Sequence, residues 1–303
     1  MAITAKMVKE LRDRTGSGMM DCKNVLKETN GDIEKAIEVL REKGLATAAK
    51  KAGRIAAEGL VKEVLSPDGK VAAMVEVNSE TDFVAKNETF INFTENVAKI
   101  VLDNEIDTVD ELKELPWIED SSKTVNDVLI EMISTIGENL SIRRFERLTT
   151  DTGTFVAYTH GAGKIVAIVE VDAEGDKVEQ VGKDIAMQIA AVNPEFISRD
   201  DVSEEKKESE KAILMAQALN EDSKKPEHII EQIVNGRLNK QLKEICLLEQ
   251  EYIKDGDLTV KQYLTNELGS ADVIKSMARF ETGEGLEKRE EDFADEVAKQ
   301  MQG

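Results

Sequence analysis

Apolar residues between positions 4 and 43 recur every three or four residues, at Val8, Leu11, Val25, Leu26, Ile33, Ile37 and Leu40, and are interrupted at Gly16, Gly18, Asn30, Gly31 and Gly44. That period places them on one face of a helix and predicts three short amphipathic helices, over 4–14, 20–29 and 32–43. Thr4 and Asp32 stand where a helix start needs a side-chain acceptor for its unpaired N–H groups. Asn30-Gly31 and Gly44 stand where a left-handed residue can close one. Residues 45–59, rich in Ala, Lys and Gly, offer little to bury and read as a partly helical tether. Residues 1–55 are therefore a three-helix module with its linker.

From Gly59 the pattern changes to alternation and short apolar runs. Strands are predicted over 60–65, 71–77 and 141–146, with a turn at Pro67-Asp68-Gly69 and helices over 90–102 and 125–136. The order then repeats, with strands over 153–159 and 165–171, a turn at 160–163, a helix over 178–192 and a last strand over 277–281. Gly69-Lys-Val-Ala-Ala-Met-Val-Glu-Val-Asn78 returns as Gly163-Lys-Ile-Val-Ala-Ile-Val-Glu-Val-Asp172, and Arg-Phe-Glu closes both copies at 144–146 and 279–281. The fold class is α+β, with a duplicated core of antiparallel sheets whose halves are 56–149 and 150–199 with 249–284.

The second copy is the longer, and its excess falls in the charge-rich residues 200–248. Ser203 reads as an N-cap, and two apolar stripes follow, one at Ile213, Leu214 and Leu219, the other at Ile230, Ile233, Val234, Leu238, Leu242 and Ile245, with a break at Lys224-Lys225-Pro226. Such narrow seams predict a helical hairpin packed as an antiparallel coiled coil, against the core, or against another copy of itself. Residues 285–303 predict a further amphipathic helix with Leu286, Phe293, Val297 and Met301 on one face.

Charge narrows the function classes. The 303 residues carry 40 Lys and Arg against 61 Asp and Glu, a formal net charge of -21, which disfavours direct binding to nucleic acid or an anionic membrane and favours a protein partner or a basic surface. No apolar run approaches bilayer length, and the chain reads as cytoplasmic. Cys22 and Cys246 sit at apolar helical positions and read as reduced, buried thiols. Two histidines, His160 and His228, without paired ligand spacing give no transition-metal site. Gly161-Ala-Gly-Lys164 lacks the leading glycine and the hydroxyl residue of a phosphate loop and reads as a strand turn. No cofactor is implied.

The two copies differ after their second strands. The first continues Ser79-Glu-Thr-Asp-Phe-Val-Ala-Lys-Asn87; the second has only Ala173-Glu-Gly-Asp-Lys177. What one copy carries and the other lacks points to function more than to folding. Glu80 and Asp82 offer an acid pair, but no nucleophile or oxyanion signature accompanies them, and solvated loop carboxylates are the simpler reading. Spacing alone leaves Phe83 equally a core residue under the sheet or an anchor for a partner's pocket.

Several ordered motifs together resemble the bacterial elongation factor Ts family, the guanine-nucleotide exchange factors for elongation factor Tu. They are Val8-Lys-Glu-Leu-Arg-Asp-Arg-Thr-Gly-Ser-Gly-Met-Met-Asp-Cys-Lys23, Asn30-Gly-Asp-Ile33, Thr81-Asp-Phe-Val-Ala-Lys86, Ile136-Gly-Glu-Asn139, His160-Gly161 and Phe280-Glu-Thr-Gly-Glu-Gly285. The resemblance implies a ubiquitin-associated-like N-terminal domain, a coiled-coil dimerisation element within 200–248 and a C-terminal helical module. It places Thr81, Asp82, Phe83 and Val84 in the segment that dislodges Mg2+ from elongation factor Tu, and it implies further partner contacts by the N-terminal domain, the C-terminal module and the second core half. Met19 and Met20 are candidates there, and His160, in its turn, is either such a contact or a solvated or locally bonded imidazole. It implies no covalent catalysis. Ser79 stands where many relatives carry cysteine, so no thiol role is carried over. Two other readings stay open: a hydrolase using Glu80 and Asp82, and a scaffold binding only through residues 1–55.

Overall fold

In the computed structural model, which describes residues 3–221 and 226–287, the chain begins with α1 (Ala5–Thr15), α2 (Met19–Glu28) and α3 (Ile33–Lys51). Their apolar faces meet in a small core of Val8, Leu11, Cys22, Val25, Leu26 and Ala36. Thr4 and Asp32 accept from the Met7 and Lys35 amides, and Gly16, at φ 66°, closes α1. Gly44 does not end the third helix as the sequence predicted. Leu45-Ala-Thr-Ala-Ala-Lys-Lys51 has high helix propensity, and α3 continues through the glycine to Lys51. A Cβ at Gly44 would stand 3.3 Å from Ile130 Cγ2, so the missing side chain lets α3 lie close to the helix that carries Ile130.

The first core half follows as β1 (Glu58–Leu65), β2 (Val71–Ser79), α4 (Asp82–Ala85), α5 (Glu88–Asp103), α6 (Val109–Glu114), α7 (Val125–Ile136) and β3 (Ser141–Thr149). The second follows as β4 (Thr154–His160), β5 (Ile165–Val171), α8 (Val178–Val192), α9 (Glu204–Glu221), α10 (Glu227–Ile245), β6 (Glu251–Tyr252), β7 (Asp255–Thr259), α11 (Val260–Leu268) and β8 (Ile274–Glu281). Each half holds an antiparallel sheet, in the orders β1-β2-β3 and β4-β5-β8. The repeated decapeptide supplies both central strands, and being covered on both faces explains its continuous apolar run. One face of each sheet packs on its own helices: Val75 and Val77 meet Phe90, Val97 and Val101 of α5, and Val169 and Val171 meet Val181, Ile185 and Ile189 of α8. The other faces meet each other through Val61, Ala72, Met74, Phe155, Val166, Ile168 and Phe280. The core is thus a helix, sheet, sheet, helix stack.

Glu76 and Glu170 follow on this inter-sheet face by strand alternation, and both are buried. Glu170 accepts from the hydroxyls of Thr150 and Ser276. Glu76 accepts from Arg143 (3.0 Å), Arg144 (2.6 Å), Asn78 (3.0 Å) and the Gly283 amide (2.8 Å), tying β3 to the residues that follow β8.

The repeated Arg-Phe-Glu is not a structural repeat. Phe145 stands opposite Val75, whereas Phe280 stands opposite Val166, whose counterpart in the first copy is Ala72 opposite Leu148. The odd offset turns the side chain through the sheet, so Phe145 packs toward the helices and Phe280 between the sheets.

Helix α8 crosses its sheet at Gly182, where a Cβ would lie 2.6 Å from Val156 Cγ2 and 2.8 Å from Val156 Cβ. Gly182→Ala gains about 1 kcal/mol of helix propensity, but the overpacking costs about 1 to 3 kcal/mol. A net destabilisation is expected, read as a lower urea midpoint; a higher midpoint would show that α8 can lift away from β4.

The hairpin α9–α10 packs through Leu214, Met215 and Ala218 against Ile230 and Val234, and at its base through Val202, Leu238, Leu242 and Cys246. The predicted first stripe is thereby corrected. Ile213 and Leu219 point to solvent, while Met215 and the small Ala218 take the seam and let the helices approach. The break at Lys224-Lys225 and the predicted helix over 285–303, apart from 285–287, lie outside the described residues. The β6–β7 hairpin and α11 had no counterpart in the sequence reading. They are fastened by buried Gln188, which accepts from the Ile253 amide (2.9 Å) and donates to Gln250 (3.2 Å) and the Glu251 carbonyl (3.1 Å). Both cysteines are free and buried, and burial pushes their thiols up.

Candidate functional site

At Ser79 the buried strand β2 ends and the chain turns outward. Thr81 is extended, with φ -127° and ψ 153°, and Asp82–Ala85 form one helical turn, closed by the Lys86 and Asn87 amides donating to the Phe83 and Val84 carbonyls. Asn87 then caps α5 through the Thr89 amide at 2.8 Å. A single turn can bury only one side. Val84 enters the core beside Leu60 and Phe90, Ala85 is buried with it, and Phe83 is left outside at 80% exposure, the most exposed large apolar side chain among the described residues. The core reading of Phe83 is therefore overturned. Leaving a phenylalanine in water forgoes roughly 1.5 to 3 kcal/mol of burial.

The turn that presents it is held from beneath. Ser79 Oγ donates to the Thr81 carbonyl (2.9 Å). Glu138 accepts from both the Thr81 amide (3.0 Å) and the Thr81 hydroxyl (2.7 Å). Glu80 accepts from the Asn139 amide (2.6 Å) and Arg54 (3.3 Å), while Asn139 Nδ2 donates to the Arg54 carbonyl (2.8 Å). Lys51 donates to the Gly137 carbonyl, and Gly137, at φ 82°, closes α7. The residues Ile136-Gly-Glu-Asn139, noted only as part of a motif, thus form the floor of the Phe83 turn.

Asp82 is engaged outward. Lys86 donates to it at 2.6 Å, and this hydrogen bond, with the charges of Lys86 and Lys164, holds its carboxyl below the usual carboxylate range. Glu80 and Asp82 are thus committed to separate cationic partners, and the arrangement has the form of a braced presentation of Phe83.

Lys164 comes from the other half. His160-Gly-Ala-Gly163 makes the β4–β5 turn, with φ 59°, 55° and 94° at Gly161, Ala162 and Gly163. The Gly163 carbonyl accepts from the Val61 amide (2.8 Å), and Lys164 pairs with Glu58 (2.5 Å), so this turn is seated on β1. His160 is exposed at its start, with Nδ1 3.1 Å from the Tyr158 hydroxyl. Met19 and Met20, exposed by 59% and 62%, open α2 on the N-terminal module. That module docks on α7, where Arg41 meets Asp127 at 2.6 Å. The structure therefore joins the Phe83 turn and the His160 turn on one core and carries the two methionines on a separate module fixed to it. Sequence reasoning missed Glu138, Asn139, Arg54 and Lys51. A carboxylate following a helix-closing glycine was the available signal.

Among the described residues, no helix is long and apolar enough to cross a membrane. Residues 80–284 match the family model described as elongation factor TS. The chain is similar to the elongation factor Ts of Clostridium kluyveri, at 55% identity over 306 residues covering 99% of each chain. It is likewise similar to those of Clostridium perfringens, at 54% with 98% of each chain covered, and Clostridium novyi, at 53% with 99% of each covered.

Proposed function

The chain belongs to the elongation factor Ts family, and from that premise we propose that it binds elongation factor Tu·GDP, displaces the Mg2+ held there and promotes GDP release so that GTP can bind during translation elongation. The observation that carries this reading is Phe83, exposed on a short turn whose next two residues, Val84 and Ala85, are buried. Mg2+ in a GTPase bridges the nucleotide phosphates to the protein, so shifting the elements that hold it weakens GDP without any covalent step. Phe83 enters a crevice beside the nucleotide site as an apolar wedge. Asp82, ionised at neutral pH, faces the displaced element beside it. Thr81 and Val84 serve as its two anchors, Thr81 through Glu138 and Val84 through the core.

Linkage fixes the rest. The factor must bind nucleotide-free elongation factor Tu more tightly than the GDP form, and nucleotide must in turn help release the factor. Met19 and Met20 on the ubiquitin-associated-like module and His160 on the core are further contacts that hold the empty partner while the wedge is seated. The net charge of -21 speeds encounter with basic surface on the partner, most at low salt. Ile213 and Leu219 give the hairpin exposed apolar surface for a second copy, making residues 200–248 the proposed dimer contact. The factor carries no cofactor and acts in the cytoplasm.

The test is release of a fluorescent GDP from purified bacterial elongation factor Tu. Addition of the protein is expected to accelerate release, more so as salt is lowered. Release at the uncatalysed rate, at low salt and with a matched clostridial partner, would return the scaffold reading.

A further inference from the structure

We propose that Glu138 is a positioning residue for exchange: its carboxylate sets the angle at which the Phe83 turn is presented. This inference rests on the exchange reading above.

A helix of one turn has no ladder of its own to hold a direction, and the ties at α4 are unusual in where they go. Thr81 occupies its N-cap position but its hydroxyl makes no capping bond; it donates instead to Glu138 Oε1 at 2.7 Å, while the Thr81 amide donates to Oε2 at 3.0 Å. Two bonds from one residue to the two oxygens of one carboxylate restrict rotation at the point where the chain leaves β2. On the far side of Phe83, Val84 and Ala85 are buried. The phenyl group thus stands between a polar clamp and an apolar anchor, and is itself 80% exposed.

The clamp is itself framed. Glu138 lies between Gly137, whose carbonyl accepts from Lys51, and Asn139, whose amide donates to Glu80 and whose side chain donates to the Arg54 carbonyl. Lys51 and Arg54 belong to the end of α3 and the residues just after it, and α3 is docked on α7 through Arg41 and Asp127. The turn after α7 thus joins the N-terminal module to the Phe83 turn. After β5 the second copy runs through 173–177 into α8 with no such single turn and no such clamp, so the device belongs to the segment that distinguishes the copies. A wedge that must distort a partner works only from a rigid seat, since freedom at its base is lost as entropy on binding.

The test compares Glu138→Ala, Glu138→Gln, Thr81→Val and the Glu138→Ala/Thr81→Val double variant in GDP release from elongation factor Tu over a range of factor concentrations. Misplacement of the wedge with the other contacts intact is expected to lower the maximal release rate of Glu138→Ala about tenfold and to move the half-saturating concentration less than about threefold. Glu138→Gln, whose oxygen still accepts from the Thr81 amide and whose amide donates to the Thr81 hydroxyl, is expected to keep most of the rate. The double variant is expected to be no slower than the slower single variant, because both remove one interaction. Circular dichroism confirms the folded fraction of each. A maximal rate in Glu138→Ala equal to the parent's, or losses that multiply in the double variant, would overturn the positioning role while leaving exchange standing. A parent that accelerates nothing would overturn the exchange reading itself, and this inference with it.

Discussion

Phe83→Ala is expected to abolish most of the acceleration of GDP release while leaving the protein as stable as the parent. Both halves of this result follow from where the side chain sits. At 80% exposure the phenyl group contributes little to its own core, so truncation should change unfolding free energy by no more than about 0.5 kcal/mol. On the wedge reading the same group is buried against the partner, and losing that burial of about 1.5 to 3 kcal/mol converts to a roughly 10- to 100-fold loss of exchange rate. Stopped-flow release of fluorescent GDP, paired with urea denaturation, measures both. Phe83→Leu should fall between, because it keeps apolar volume without the ring. An undiminished rate in Phe83→Ala would remove the wedge. A large loss of stability would mean that the ring packs against its own chain.

Glu76→Gln should behave in the opposite way, costing stability. Burial by itself would push this carboxyl up, but the Gly283 amide, Asn78, Arg144 and Arg143 together outweigh it and leave it below the usual carboxylate range. Removing the charge leaves two arginines facing a neutral amide at the edge of the inter-sheet layer. The expected cost is about 3 kcal/mol, at the low end for a broken buried pair because both arginines still reach solvent. The pH dependence follows in sign. A group whose folded value is depressed contributes stability that is present above its unfolded value, near pH 4.3, and lost as pH falls through the folded one. The gap between parent and Glu76→Gln should therefore be full at pH 7 and narrow below about pH 4, as read by urea unfolding at each pH. A gap independent of pH would mean that Glu76 is held by packing and not by charge.

The two substitutions together separate holding from doing. Glu76 lies in the part of the decapeptide that both copies share, and its counterpart Glu170 is also buried and satisfied, by Thr150 and Ser276. Phe83 lies in the part that only the first copy has. The duplicated frame holds the buried carboxylates, and the unshared turn is where the proposed contact lies.

Much of this was legible in the chain itself. The strand Ile165–Val171 and the helices Val125–Ile136 and Val178–Val192 were readable to the residue, because a strong hydrophobic period and a clear stop agreed at each. Thr4 and Asp32 were readable as caps because N-capping is a local transaction. Gly44 was misread because its permissiveness is local while its use is not: the helix passes through it to reach α7. Ile213 and Leu219 were misassigned because a helix seam is chosen by the helix it faces, which no single stripe reveals. Arg-Phe-Glu was paired by identity, but strand register is set by the partner strand.

The sequence by itself determined the α+β class, the duplicated sheets, the helical hairpin within the second copy and the segment that the second copy lacks. All four are carried by periodicity and repetition, which are read from the order of residues without knowing what packs against them. Only the tertiary structure decided that Phe83 faces water and Val84 the core, and that Glu138, far along the chain, accepts both hydrogen bonds from Thr81. A single helical turn has two sides and no local preference between them. The choice is made by what lies beneath, here the core against Val84 and the carboxylate under Thr81.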